Sequence, residues 1–233
     1  MHHSRIGQAT ALAFAKHGIT RLALADVNPD ALTASIAALE ESCPQVEEVL
    51  PLRMDVRKSG EIKEGVARAA AKFGRIDIAR VIDINLNGAY RCHKEEIGVM
   101  VGQEDLGFRQ GRGVIINVAS VYGLVGPQNP IHQSAYAAAK HGVLGLTKAE
   151  ANSYASDNIR INAICSGYVT TPLIMDHLAA DPQSPVHQQV DLTPMKRMAT
   201  AEEVAENIVF LASPMSSFMH GAAIVVDGGF TSF

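Results

Sequence analysis

Two residues four positions apart, Tyr136 and Lys140, lie in a stretch whose small and apolar residues predict a helix over 134–155. Residues at i and i+4 share one face of a helix, so the phenol and the ammonium would lie side by side. A nearby ammonium favours the ionised phenolate, and a phenol that changes its protonation state can give or take a proton during catalysis. The pair is therefore a candidate acid–base site.

The same spacing occurs a second time, at Tyr90 and Lys94, so the surroundings have to distinguish the two pairs. An apolar strand over 113–120 ends at Ser120, and the glycines and prolines of the following loop let the chain turn back toward Tyr136. Tyr90 lies in the middle of a predicted helix without such a neighbour. We expect Tyr90 to be a surface tyrosine beside a solvated lysine.

The elements that would hold this site alternate along the chain. Because the strands are apolar throughout, they predict an α/β fold with a Rossmann-like, doubly wound parallel sheet that helices cover on both faces. The ligand site of such a sheet lies at the carboxyl ends of its strands. We expect one domain over 1–233 and a polar loop after residue 169, of which 173–195 would form a lid. The predicted strands are 21–26, near 46–56, 76–79, 113–120, 160–167 and 221–229, and the predicted helices are 4–17, 28–43, 59–73, 80–101, 134–155 and 201–213.

Composition excludes several classes of partner. The net charge of −4 gives no basic surface for nucleic acid, and no apolar run is long enough to span a membrane. The three cysteines lack a paired spacing, which indicates reduced thiols and a cytoplasmic protein. His2 and His3 have no third ligand nearby, so we expect no metal site. The cysteines are Cys43, Cys92 and Cys165.

Six segments resemble the short-chain dehydrogenase/reductase family, and they follow the family's order over nearly the whole chain. The resemblance implies an oxidoreductase that transfers a hydride between NAD(P) and a small secondary alcohol or ketone. The segments are MDV at 54–56, DINLNG at 83–88, NVAS at 117–120, YAAAK at 136–140, RINAICSGYVTTPL at 160–173 and VVDGG at 225–229.

The resemblance also implies roles for individual residues. Tyr136 would be the general acid/base, and Lys140 would favour its phenolate and hold the nicotinamide ribose. Ser120 would position the substrate oxygen, and Asn85 would support a proton relay through water. Besides Tyr136 and Lys140, the implied cofactor contacts are Ile6, Gly7, Asp26, Asp55, Val56, Val169 and Thr171.

Asp26 ends the predicted strand 21–26, where a dinucleotide-binding fold recognises the adenosine ribose. A carboxylate at this place bonds the 2′-hydroxyl and repels a 2′-phosphate, so it favours NAD, with NADP as the other possibility. The alternative role for Asp26 is to cap the following helix.

Two departures from the family pattern bear on activity. The first strand is expected to be missing, and Gly7 is the only glycine left of the phosphate-binding turn. The second departure follows Ala79, where the NNAG turn and roughly 25 residues are expected to be missing, which shortens the region of the fourth strand. Two functions therefore remain open: an active oxidoreductase, or a truncated or mis-spliced, non-catalytic relative that serves at most as an interaction subunit.

The family usually forms dimers or tetramers through the helices that carry DINLNG and YAAAK. The small residues of 137–145 would permit such packing between copies, and a buried contact within one chain would explain them equally well. A homo-oligomer is therefore expected by resemblance.

Overall fold

The structure is a computed structural model that describes residues 5–76, 78–81 and 86–232. The expectations for His2, His3 and Asn85 lie outside the described residues. The strands are β1 (Arg21–Asp26), β2 (Glu48–Arg53), β3 (Ile78–Val81), β4 (Gly113–Val118), β5 (Ile159–Ser166) and β6 (Ala223–Val226). The helices are α1 (Arg5–Lys16), α2 (Pro29–Ser42), α3 (Ser59–Phe73), α4 (Leu86–Met100), α5 (Ser134–Tyr154), α6 (Pro172–Ala180), α7 (Pro185–Leu192) and α8 (Ala201–Ala212).

The strands of the described residues form two parallel sheets. One contains β1 and β2, and the other has the order β3-β4-β5-β6. Helices α1, α2 and α8 pack together on one side, and α3, α4 and α5 on the other. The predicted parallel α/β fold is confirmed, whereas the absence of a first strand stays a prediction.

Local signals in the sequence account for several helix boundaries. Asn28 precedes α2, and its Oδ1 accepts hydrogen bonds from the backbone N–H groups of Asp30 and Ala31. Helix α3 ends at Gly74, whose φ of +80° lies in the left-handed region that glycine adopts without steric cost. These capped ends fix where the chain enters and leaves the sheet.

One hydrophobic core connects the two sheets. Leu22 of β1 belongs to the same buried cluster as Val114 and Ile116 of β4 and Ile208 of α8. Full burial of such a side chain contributes about 1.5–3 kcal/mol, so this cluster holds the small sheet against the larger one.

The third strand and the start of α4 differ from the expectation. The strand predicted over 76–79 lies at Ile78–Val81, and residues 80 and 81, which the sequence pattern assigned to a helix, pair with Ile116 and Asn117. Among the described residues, helix α4 covers Leu86–Met100. The apolar residues after residue 79 fit a strand as well as a helix, and tertiary pairing with β4 decides between them.

The segment expected to be a polar loop with a lid over 173–195 contains two helices, α6 and α7. Each begins at a proline that follows a capping residue. The Oγ1 of Thr171 accepts from the N–H of Ile174, and the Oγ of Ser184 accepts from the N–H of Val186. A hydroxyl residue followed by proline is a helix-start signal, and the expectation of a loop overlooked it.

Candidate active site

Ser120 lies just beyond the carboxyl end of β4, at the edge of the larger sheet where a parallel α/β fold places its ligands. Its side chain is buried, and its Oγ accepts a hydrogen bond of 3.2 Å from the backbone N–H of Tyr122. A hydroxyl that accepts in this way keeps its own hydrogen for donation. Ser120 can therefore donate to an oxygen that enters the site.

Lys140 and Tyr136 lie on the first two turns of α5, as expected. The buried Lys140 Nζ donates to the backbone oxygen of Val118 at 3.0 Å and lies 5.4 Å from the centre of the Tyr136 ring. Tyr136 itself is 44% exposed. A fixed ammonium therefore lies beside an accessible phenol, which is the arrangement that a proton-transferring tyrosine requires.

Gly123 explains how the Ser120 turn reaches α5. A Cβ at this position would lie 2.8 Å from the backbone oxygen of Lys140, so only glycine allows the two backbones to approach this closely. This contact brings the segment after β4 against the helix that carries Tyr136 and Lys140. The sequence contains Gly123 but did not reveal its role.

The second tyrosine–lysine pair lies elsewhere. Tyr90 and Lys94 are exposed on α4, and Tyr90 is 53% exposed. The prediction of a surface pair is confirmed.

The residues expected to bind the cofactor's phosphates lie at the start of α1. Gly7 lines a cavity of about 500 Å³ together with Asp26 and Val56. The backbone oxygen of Ile6 accepts from Thr10 Oγ1 at 2.6 Å, and the Ile6 side chain packs against the core. Any contact of Ile6 with a cofactor would therefore use its backbone.

Asp26 is the last residue of β1. Its Oδ1 accepts from the N–H of Asn28 at 2.8 Å, so it does stabilise the turn before α2, while the cap of that helix is Asn28. The carboxylate makes no other hydrogen bond among the described residues, and it lines the cavity beside Gly7. A ribose diol is a suitable donor for such a group.

Asp55 is buried after β2, and its carboxylate is held by Arg57 at 2.7 Å from Nη2 and 2.9 Å from Nε. The hydrogen bonds from Arg57 lower the pKa of Asp55 to about 2. A contact between this carboxylate and an adenine would have to displace the exposed Arg57 side chain.

Val169 and Thr171 follow β5. The N–H of Thr170 donates to Ala199 O, and Ala199 N–H donates to Tyr168 O. In such a parallel bridge the N–H and C=O of the middle residue, Val169, point to the opposite side. These two groups can pair with a carboxamide, which fits the amide of a nicotinamide.

An aromatic wall, defined here as Tyr122, Tyr168 and Phe230, borders the site. Their ring centres lie 6.0–6.5 Å apart in edge-to-face contacts, and Tyr122 makes the same contact with Tyr136 at 6.5 Å. The hydroxyls of Tyr122 and Tyr168 are hydrogen-bonded at 2.8 Å. Burial raises the pKa of both tyrosines, so the wall stays neutral. The sequence pattern did not predict this wall, although Tyr122 and Tyr168 each follow a strand end.

The described residues therefore fit a dinucleotide with a nicotinamide at one end. Gly7 and Asp26 line one cavity, and the N–H and C=O of Val169 point away from its bridge partner Ala199. No group of three or more metal-ligating side chains is found among residues 5–76, 78–81 and 86–232. Within the same ranges no helix has the length and apolar character to cross a membrane.

The family model described as enoyl-(acyl carrier protein) reductase matches residues 1–80 and 78–231. Levodione reductase from Leifsonia aquatica is 34% identical over 252 residues, which cover 97% of this chain and 90% of that protein. Cyclohexanol dehydrogenase from Acinetobacter sp. strain SE19 is also 34% identical over 252 residues, with 98% and 92% covered. Both alignments are longer than the 233-residue chain, so these relatives contain positions without a counterpart here.

Solved structures agree with these matches. A crystal structure of levodione reductase superposes with a TM-score of 0.85 at 33% identity and covers 97% of this chain and 93% of its own. The structure of ElxO with NADP bound gives a TM-score of 0.82 at 26% identity, with 98% and 95% covered. The fold is therefore shared with levodione reductase and ElxO.

Proposed function

We propose that the substrate of this protein is a neutral, ring-shaped alcohol or ketone and that its cofactor is NAD. The premise is that the chain belongs to the short-chain dehydrogenase/reductase family and therefore transfers a hydride between NAD(P) and a secondary alcohol or ketone. The observation that carries this proposal is the position of Tyr136, between the Lys140 ammonium and the edge of Tyr122.

Each catalytic side chain has one task. The Tyr136 hydroxyl gives a proton to the substrate oxygen in reduction and takes it back in oxidation. Lys140, whose Nζ donates to Val118 O, favours the phenolate electrostatically and is proposed to hold the nicotinamide ribose. Ser120 donates its hydroxyl hydrogen to the same substrate oxygen and so orients the reacting carbon. Asn85 is proposed to connect Lys140 to solvent through water. The nicotinamide supplies or accepts the hydride.

The preference for NAD rests on Asp26. Its carboxylate lines the cavity at the end of β1, where it can accept hydrogen bonds from a ribose diol and repels a 2′-phosphate. The remaining proposed contacts are Gly7 and the backbone of Ile6 for the pyrophosphate, Asp55 and Val56 for the adenine, and Val169 and Thr171 for the nicotinamide amide.

The proposed substrate class follows from the aromatic wall. Neutral rings in edge-to-face contact form a rigid apolar surface, and a rigid alicyclic ring can pack against it at a lower entropic cost than a flexible chain. One relative is named for cyclohexanol, a ring alcohol. This supports a neutral ring substrate.

The test compares NADH formation from cyclohexanol with that from 2-hexanol, an open-chain secondary alcohol with the same number of carbons. We expect kcat/KM to be at least about tenfold higher for cyclohexanol, in the range that one hydrophobic pocket can discriminate. Phe230→Leu should reduce this ratio, while Phe218→Leu, the same change at a fully exposed phenylalanine, should leave it unchanged.

Two results would overturn the proposal separately. Equal kcat/KM values for both alcohols would contradict the ring preference. Absence of NADH binding in a fluorescence titration, together with no turnover of any secondary alcohol, would instead favour the non-catalytic relative described above.

We further propose a cytoplasmic homo-oligomer. Gly142 packs within the chain, because a Cβ there would lie 2.6 Å from Leu86 on α4. The exposed Ala138 and Gly145 remain on the outside of α5, where small residues permit close helix packing between copies. Light scattering on the purified chain distinguishes a dimer or tetramer from a monomer.

A further inference from the structure

The aromatic wall carries a pair of hydroxyl groups within its apolar surface. The hydroxyl oxygens of Tyr122 and Tyr168 lie 2.8 Å apart, and either of them can be the donor. Two hydroxyls hold two hydrogens, and one of these lies in the hydrogen bond between the two rings. Within residues 5–76, 78–81 and 86–232 neither hydroxyl makes a second hydrogen bond, so the pair has one hydrogen left to donate.

Both hydroxyls keep their hydrogens during catalysis. Burial is the largest cause that raises the pKa of Tyr122 and of Tyr168, and a negative charge on Tyr136 raises both further. The pair therefore stays protonated even when Tyr136 has given its proton to the substrate. The influence of Tyr136 on both residues also indicates that the three phenol groups belong to one site.

A ligand that packs on the wall reaches this pair. The ring of Tyr122 contacts the ring of Tyr136 edge-to-face, and the backbone N–H of Tyr122 donates to Ser120 Oγ. Tyr168 is half-buried, so part of its side chain is open to solvent. A ring that covers the wall displaces the water there. It must then supply an acceptor for the remaining hydrogen, because an unpaired buried donor costs free energy.

The acceptor has to lie far from the reacting carbon of the ligand. The proposed contacts of the reacting oxygen are Ser120 and Tyr136, whereas the hydroxyl pair belongs to two other rings, whose centres lie 6.5 Å apart. Oxygens on neighbouring carbons of a ring lie too close together to reach both groups. Position 4, across the ring from the reacting carbon, gives the greatest separation that a six-membered ring allows.

We propose that the preferred substrates are six-membered ring alcohols and ketones with a second hydroxyl or carbonyl oxygen at position 4, which the hydroxyl pair of Tyr122 and Tyr168 binds. This inference rests on the proposed ring preference and adds a polar contact to it. The remaining hydrogen of the pair donates to the second oxygen, and the phenol oxygens accept from it when it is a hydroxyl. A site that pairs with such a group rejects the analogue that lacks it.

The experiment measures NADH formation from trans-1,4-cyclohexanediol and from trans-4-methylcyclohexanol, in which a methyl group replaces the second hydroxyl. The hydroxyl ratio is kcat/KM for the diol divided by kcat/KM for the methyl compound. The double variant Tyr122→Phe/Tyr168→Phe removes both hydroxyls and keeps both rings. We expect it to lower the hydroxyl ratio about tenfold, the effect of one hydrogen bond of about 1.4 kcal/mol.

Matched controls separate the hydroxyl pair from the rings that carry it. Tyr90→Phe/Tyr154→Phe makes the same two changes at an exposed tyrosine of α4 and at a tyrosine packed against another part of the core, so it should leave the hydroxyl ratio unchanged. The corresponding ratio for trans-1,2-cyclohexanediol and trans-2-methylcyclohexanol should be equal in the wild type and in Tyr122→Phe/Tyr168→Phe. The preference for cyclohexanol over 2-hexanol should also persist in that variant, because the wall keeps its rings.

An unchanged or higher hydroxyl ratio in Tyr122→Phe/Tyr168→Phe overturns the inference, and a persisting ring preference would then leave the proposed function intact. Replacing both partners of a hydrogen bond by groups of the same shape changes stability little, so we expect this variant to fold. If it does not fold, the wild type decides. Its ratio for the 4-substituted pair must exceed its ratio for the 2-substituted pair by about tenfold, and equal ratios overturn the inference.

A binding measurement keeps this test independent of turnover. Ligand-observed NMR with NADH present, which accepts no hydride, gives the Kd of each of the four ring compounds. We expect the second hydroxyl at position 4 to lower the Kd relative to the methyl group, and the hydroxyl at position 2 to have no such effect. Equal effects at the two positions overturn the inference whether or not the chain oxidises alcohols.

Discussion

Strands β1 and β5 lie in the same α/β molecule but in different surroundings. Every residue of β5 is buried, and the strand is paired with β4 on one edge and β6 on the other. In β1 buried and exposed positions alternate, and among the described strands only β2 pairs with it. Ser120, Tyr136 and Lys140 thus belong to a closed, well-packed half, whereas Asp26 and Gly7 border a cavity.

Membership of the family and completeness of the cofactor site are therefore separate properties of this chain. Catalytic geometry depends on short contacts, such as Gly123 against Lys140, that are present in the half containing β5. Cofactor binding depends on backbone groups around the end of β1, where the sheet is divided. The two halves can therefore be tested independently.

The largest expected effect concerns the catalytic half. Tyr136→Phe removes the hydroxyl that transfers the proton, and we expect kcat to fall by about 10²–10⁴-fold while NADH affinity changes little. Steady-state kinetics and a fluorescence titration measure the two quantities. Tyr90→Phe, in the exposed second pair, should leave both unchanged. A similar loss of kcat in both variants would contradict the different roles assigned to the two tyrosines.

The next largest effect concerns Glu96, which lines the cavity beside β1, and it appears as a dependence of stability on pH. Burial raises the pKa of Glu96 from 4.5 to about 7. The folded protein therefore holds this proton more tightly than the unfolded chain. The contribution of protonated Glu96 to the free energy of unfolding is complete below pH 4.5 and is lost as the pH rises through 7. That contribution corresponds to about 3 kcal/mol in the free energy of unfolding.

Glu96→Gln removes this titration, so we expect it to abolish the corresponding loss of stability above neutral pH. Urea unfolding on both sides of the titration measures the effect. Glu95→Gln makes the same change in charge one residue away and should retain the wild-type pH dependence. If Glu96→Gln and the wild type lose stability equally with rising pH, Glu96 is not protonated in the folded state.

A third prediction concerns the contact that assembles the catalytic half. Gly123→Ala places a Cβ against the backbone of Lys140, and we expect a loss of about 1–3 kcal/mol in the free energy of unfolding together with a lower kcat. Gly60→Ala, in the first turn of α3 and without a neighbour within 4 Å, should not lower the stability. Equal stability of the two variants would contradict this role of Gly123.

The smallest effect is expected at the end of β1. Asp26→Asn removes the charge that repels a 2′-phosphate, and we expect the preference for NADH over NADPH to fall by about tenfold, or 1.4 kcal/mol. Parallel titrations with the two cofactors give this ratio. Asp30→Asn, an exposed change in the first turn of α2, should not alter this ratio. If Asp26 served only the turn to Asn28, Asp26→Asn would leave the ratio unchanged as well.

Much of the architecture could be predicted from local sequence. The apolar residues of 21–26 and the glycine at position 74 gave strand and helix limits that agree with β1 and the end of α3. The start of α4 could not be predicted in this way, because the pattern of Arg80 and Val81 fits either element and only their pairing with β4 assigns them to β3. Helices α6 and α7 were signalled by hydroxyl–proline pairs but were interpreted as a loop.

The fold class, the family and the candidate site residues Ser120, Tyr136 and Lys140 could be predicted from the sequence, because helix spacing and the order of motifs are visible along the chain. Three other features depend on the tertiary structure: the backbone contact at Gly123, the aromatic wall and the cavity beside β1. Each depends on residues distant in sequence that meet only when the sheets and helices pack. Spacing along a chain specifies which groups can act together, and packing decides what surrounds them.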